Sequence, residues 1–117
     1  ANLRFFQGDL YADDVFARVK DEGPYDALVC DAAPPTTGNR LIDTSRSAAL
    51  AELAFEYART VLKEGGNFAV KIFQGGDQQA LLEKMRTVFA SARSFKPTAC
   101  RSESFEIYLI GLNKKAE

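Results

Sequence analysis

The chain alternates short apolar runs with amphipathic stretches. Leu3-Arg4-Phe5-Phe6 predicts a short strand, which Gly8-Asp9 turns into a loop. Asp13-Asp14 then open a helix that gathers Val15, Phe16 and Val19 on one face, and acids in a first turn suit the helix dipole. Gly23-Pro24 ends that helix, and Tyr25–Cys30 follows as an apolar strand with Asp31 at its carboxyl end. The prolines of the next loop, Pro34 and Pro35, exclude a helix there. A long helix is expected from Asp43 or Thr44, both plausible N-caps. Leu50, Leu53, Ala54, Tyr57, Ala58 and Val61 form its buried stripe, and Gly65-Gly66 is expected to terminate it. Asn67–Phe73 predicts a strand with Lys71 set among Phe68, Val70 and Ile72. Beyond Gly75-Gly76, the positions Leu81, Leu82, Met85, Val88 and Phe89 mark a helix from about Asp77 to Ala90. Two strands close the chain, Ser94-Phe95-Lys96 within 92–96 and Phe105–Leu112.

Strands separated by helices predict an α/β fold with a mainly parallel sheet. The segment 97–104 is too short for a crossover helix, so the last two strands are expected as an antiparallel hairpin. The expected spatial order is 3–6, 25–30, 67–73, 105–112, 92–96, within one domain over residues 1–117. No apolar run approaches the roughly 18 residues of a membrane helix. The N-terminus lacks a signal-peptide pattern, and two cysteines suit a reducing compartment, so a cytoplasmic protein without membrane contact is expected. The absence of histidine excludes Ser-His-Asp and Cys-His catalysis and disfavours a zinc site; no metal is expected. The near-neutral net charge conceals an asymmetry. Residues 1–43 hold four basic side chains against eight acidic ones, whereas residues 84–117 hold seven against three. A basic end of this kind is either a phosphate-binding face or a solvated surface.

Ligands of open α/β sheets bind beyond the carboxyl ends of the strands, where Asp9 and Asp31 both fall. Each could equally be a loop acid that caps a turn. Lys71 stands in an apolar strand, either as a paired buried lysine or as an edge residue reaching for water. Glu106, between Phe105 and Ile107, could be a solvent-facing alternation.

Several segments narrow these alternatives. Phe5-Phe6-Gln7-Gly8-Asp9, Leu28-Val29-Cys30-Asp31-Ala32-Ala33-Pro34 with Thr37-Gly38, and Gly65-Gly66-Asn67-Phe68-Ala69-Val70-Lys71-Ile72-Phe73-Gln74-Gly75 resemble the FtsJ/RrmJ family. So do Lys96-Pro97, Arg101-Ser102 and Glu106-Ile107-Tyr108. The family comprises S-adenosylmethionine-dependent RNA 2′-O-methyltransferases, and its bacterial branch modifies a uridine of large-subunit ribosomal RNA. The resemblance runs almost end to end and implies a Rossmann-like methyltransferase sheet, truncated at the N-terminus. It implies S-adenosylmethionine as cofactor and RNA, in ribosomal RNA or the large subunit, as partner. The family works with a Lys-Asp-Lys-Glu set, and Asp31, Lys71 and Glu106 match its last three members. Asp9 matches the acid that contacts the adenine, and Asp31 also lies beside the cofactor in the family.

These residue types suit the reaction, because a ribose hydroxyl is a poor nucleophile until its proton is taken or strongly polarised. Asp31, Lys71 and Glu106 are therefore expected to converge from three strands or strand ends. Lys96, Arg101 and Arg46 are expected to share the Lys71 rim as a footprint for the RNA backbone. The chain starts after the family's glycine-rich loop, its ribose-binding acid and its first lysine. By itself it is expected not to transfer methyl groups, and its shortened sheet offers an edge for self-association. The alternatives are a pseudo-methyltransferase that only holds RNA and an unrelated nucleotide-binding α/β domain.

Overall fold

Seven elements succeed one another in the computed structural model, which describes residues 8–31, 37–75, 78–96 and 106–116. They are α1 (Asp13–Glu22), β1 (Tyr25–Cys30), α2 (Arg40–Val61), β2 (Leu62–Phe73), α3 (Gln78–Val88), β3 (Phe89–Phe95) and β4 (Glu106–Lys114). The strand expected at 3–6, and with it any pairing to β1, lies outside the described residues.

The described sheet has the order β1-β2-β4-β3, the expected sequence for 25–30, 67–73, 105–112 and 92–96. β1 and β2 pair in parallel, and β4 runs antiparallel to both β2 and β3. Three strands thus point one way with β4 set against them.

Three boundaries differ from expectation, each for a local reason. α2 starts at Arg40 because the Asn39 side chain caps it, accepting from the Ile42 N–H at 3.2 Å. Asp43 is not that cap; it reaches back and takes the N–H and hydroxyl of Thr37 at 2.8 and 2.9 Å. Gly65-Gly66 does not end α2 either, since the helix stops at Val61 and β2 begins at Leu62. The pair sits in an irregularity of the parallel ladder, where β2 advances from Leu62 to Asn67 while β1 advances only from Tyr25 to Ala27. Gly65 there takes φ of +85°, a conformation glycine adopts without strain. At the third boundary α3 stops at Val88, and Phe89 enters β3, fully buried and stacked on Phe68 with ring centroids 6.1 Å apart.

Alternation along the strands divides the sheet into two unlike faces. Phe68, Val70 and Ile72 of β2 and Ile107 and Leu109 of β4 meet Ala51, Ala54, Phe55 and Ala58 of α2 and Leu81, Leu82 and Met85 of α3. α1 joins this side, its Val15 and Val19 packing on Tyr57 and Val61 of α2, with Leu28 of β1 beside them. All three described helices therefore cover one face. Burial of these large side chains, each worth about 1.5–3 kcal/mol on removal from water, drives the assembly. Residues of the opposite parity, Ala69, Lys71, Tyr108, Ile110, Arg93 and Phe95, share the other face through direct register.

Candidate functional site

Lys71 projects from the face opposite the described helices, near the carboxyl end of β2. Two anchors fix that strand end. The buried Ser47 hydroxyl of α2 accepts the Phe73 N–H at 2.9 Å. One turn further, Gly75 passes so close to Thr44 that a Cβ there would overlap its methyl group. Helix and strand thereby hold each other at the height where the charged groups meet.

The structure brings together the three residues expected to converge. Lys71 Nζ lies 2.9 Å from Asp31 Oδ1, at the end of β1, and 3.7 Å from Glu106 Oε2, at the start of β4. Parallel pairing of β1 with β2 and the register that sets Lys71 opposite Tyr108 account for this. The lysine side chain is only 17% exposed while Asp31 is 61% exposed, so the amine sits low and a carboxylate faces the solvent. Partial burial works to lower the Lys71 pKa, but the hydrogen bond and charge of Asp31, with Glu106 and Tyr108 behind them, outweigh it. The net effect holds the ammonium above its ordinary range near 10.5. At neutral pH this lysine is a cation with no lone pair to offer.

The other expected site residues are more dispersed. Asp9 lies in the turn ahead of α1, where its carboxylate accepts the Tyr11 N–H at 2.9 Å and takes no part in the Lys71 cluster. Lys96 does share the Lys71 end of the sheet, since its Nζ is 3.4 Å from Gln74 Oε1 just beyond β2. Arg46 is exposed on α2 one residue before Ser47, which places its backbone at that same end, and its charge helps keep the Asp43 carboxyl below its usual range. The bonds from Thr37 are the larger cause of that shift. Arg101 lies outside the described residues.

A nucleoside cofactor of the kind the resemblance implies finds a partial fit here. The exposed carboxylates of Asp9 and Asp31 can accept from its amino and hydroxyl groups. Among the described residues no glycine-rich turn follows a strand in the geometry that would cradle its other end. The sequence reading missed Tyr108 as a neighbour of the cluster. Its signal was the cross-strand register, in which residue 108 stands opposite residue 71.

The chain matches the FtsJ-like methyltransferase model over residues 1–114. It is 60% identical over 113 residues to ribosomal RNA large subunit methyltransferase E of Treponema denticola, covering 97% of this chain and 57% of that protein. The protein of the same name in Neisseria meningitidis serogroup C is 44% identical over 116 residues, covering 97% of this chain and 56% of its own length. The chain thus spans a little over half the length of these relatives. A crystal structure from Plasmodium falciparum, assigned as a ribosomal RNA methyltransferase, superposes with a TM-score of 0.74 at 22% identity, covering 95% of this chain and 59% of that one. That likeness concerns the fold.

Proposed function

The chain belongs to the FtsJ-like methyltransferase family, and we propose that it carries the ribose-facing part of an enzyme that methylates the 2′-hydroxyl of a nucleotide in ribosomal RNA. The observation that carries the reading is the meeting of Lys71 with Asp31 and Glu106 at the carboxyl end of β1 and β2. A purely structural lysine would need one partner; here two carboxylates from different strands are brought to it.

In this reading S-adenosylmethionine, when bound, supplies a methyl group already activated by its sulfonium charge, with Asp9 and Asp31 as the residues that would hold its nucleoside. Lys71 holds the ribose oxygen. As an ammonium it donates a hydrogen bond to that oxygen and polarises its O–H, and the proton that the oxygen sheds on methylation passes to water at the solvent side of the cluster, where Asp31 is exposed. To take the proton itself, Nζ must first lose one, and Asp31 and Glu106 resist this by stabilising the charge. A further cation near the cluster would ease that loss. For the 117 residues alone, this charged state favours a second reading, a chain that holds RNA without transferring methyl groups. Lys96, Arg101 and Arg46 are assigned to the phosphate backbone, in the cytoplasm, with the large ribosomal subunit as target.

The test joins this chain to the upstream segment of the Treponema denticola relative and supplies ribosomal RNA with methyl-labelled S-adenosylmethionine. Label is expected at a linkage that has become resistant to alkaline hydrolysis, the mark of a blocked 2′-hydroxyl. Label on a base would overturn the ribose assignment. RNA binding by the 117 residues should fall steeply with salt as phosphate contacts release counterions, and binding indifferent to salt would count against the backbone footprint.

A further inference from the structure

The buried stripe of α2 changes character along its length. Ala51, Ala54 and Ala58 line it where the helix packs on the sheet. One and two turns earlier the same stripe carries Ser47 and Asp43, each 4% exposed. With Lys114, these are the buried polar or charged side chains among the described residues. A hydroxyl or carboxylate withdrawn from water is unfavourable unless it is bonded, and close packing alone would be met by alanine, as it is at 51, 54 and 58. Each of the two accepts a backbone N–H from a segment at the carboxyl end of the sheet. Asp43 takes that of Thr37, beyond β1, at 2.8 Å, and Ser47 takes that of Phe73, the last residue of β2, at 2.9 Å.

Ser47 bears directly on Lys71. Among the described residues the parallel ladder of β1 and β2 ends where Cys30 pairs with Val70, so Lys71, Ile72 and Phe73 run on with β4 as their strand partner. Lys71 is the first residue of this overhang. Phe73, two residues on and directly opposite Glu106, is its end, and there the Ser47 hydroxyl ties it to α2. We propose that Ser47 is a positioning residue for methyl transfer: by holding the Phe73 N–H it sets the height at which Lys71 meets Asp31 and Glu106. The inference rests on the reading of Lys71 as the group that holds the ribose oxygen, and adds what fixes that group in place. The margins are narrow. Lys71 Nζ is within hydrogen-bond distance of Asp31 at 2.9 Å but not of Glu106 at 3.7 Å. A slide of the strand end by about 1 Å would therefore break the first contact or close the second, and misplacement on that scale is enough to slow a positioned reaction. The hydroxyl acts through the backbone of residues 71–73.

In the 117-residue chain, titration of Lys71 followed through its Nζ and Cε resonances reads the contact with Asp31 without any assay of transfer. Ser47→Ala should move that titration to lower pH than in wild type, because the bond to Asp31 that raises it loosens. Ser47→Cys, which keeps the side-chain volume with a far weaker acceptor, should do the same, and Ser47→Thr, which keeps the hydroxyl, should titrate as wild type. Leu82→Ala, a cavity where α3 meets the sheet that destabilises at least as much, should leave it unmoved. In the chimaera with the Treponema denticola upstream segment, the alanine and cysteine variants should lower kcat about ten- to a hundredfold, with the KM values for cofactor and RNA within about twofold of wild type. An unmoved Lys71 titration in both Ser47→Ala and Ser47→Cys, or an equal shift in Leu82→Ala, would overturn the positioning role. A chimaera that transfers no methyl group to ribose, with a Lys71 titration that still depends on Ser47, would overturn the ribose reading and uphold Ser47 as the anchor of the cluster.

Discussion

Two lysines withdraw from water at opposite ends of the same sheet, and on different terms. Lys114, at the end of β4, is 7% exposed and donates from Nζ to the backbone carbonyl of Leu62 at 3.0 Å. Lys71, near the end of β2, keeps two carboxylates from other strands beside its amine. The first arrangement serves the fold: the aliphatic stem covers apolar surface, and the ammonium satisfies an oxygen at the helix-to-strand junction of Leu62. The second spends charge where a neutral partner would suffice for packing. Burial alone, in which Lys114 exceeds Lys71, does not separate the two settings. The number, charge and strand origin of the partners do.

The largest expected effect would break this comparison most directly. In the chimaera with the Treponema denticola upstream segment, Lys71→Met should lower methyl transfer by about 10²–10³-fold, the usual range for a lost donor that stabilises charge in the transition state. Lys114→Met should leave transfer at the protein's working temperature within about twofold, because its amine is remote from the ribose in this reading. Equal losses in the two variants would erase the distinction. Stability should reverse the ranking. Lys114→Met leaves a buried carbonyl without that donor and should cost about 1–3 kcal/mol in urea unfolding. Lys71→Met should stay within about 1 kcal/mol, since its partners are substantially solvated and the pair is weakened by screening.

The expected architecture survives in the order of β1, β2, β4 and β3 and in the hairpin, because apolar alternation and one short connection dictate both. The meeting of Asp31, Lys71 and Glu106 follows from that order once the strand ends are aligned. What escaped the sequence was decided by contacts between distant segments. Asn39 and Asp43 are both acceptable helix caps by type, and only the position of Thr37 assigns their separate tasks. Gly65-Gly66 reads as a helix stop until β1 shows that the ladder needs extra residues there. Lys114, beside Asn113 and Lys115, looks like part of a solvated tail. Asn113 takes φ of +63° and donates its N–H to Asn67 at 2.9 Å, and Lys114 is then held at the edge of the core.

Titration sharpens the comparison by a smaller margin. The Lys71 pKa is raised above its unfolded value, so its contribution is complete below about pH 10.5 and declines as pH rises through the higher folded value. Asp31→Asn removes the hydrogen-bonding charge and should shift that alkaline loss to lower pH, read by following the lysine Nζ and Cε resonances. Asp43 behaves in the opposite sense. Its depressed pKa gives stability that is present above about pH 3.8 and is lost as acid carries the pH through the folded value. Asp43→Asn should flatten the acid limb of the unfolding profile and leave the alkaline limb unchanged.

The spacing of the charged cluster also bears on how the molecule reaches its folded state. Asp31, Lys71 and Glu106 are separated by 40 and 35 residues of chain, and no local hairpin or helix brings any two of them together. Closing loops of that length is entropically opposed until the strands they connect have packed, so the contacts belong to the slow, non-local class. Lys71 should therefore acquire its two carboxylates in the same kinetic phase in which Phe68 and Leu109 leave water, and not before. A stopped-flow experiment that follows core burial and the Lys71 environment together would see one rate for both. The cluster is then a late clock for the whole sheet: a chain whose β2 and β4 have not yet found their register has not yet set Lys71 between its two carboxylates.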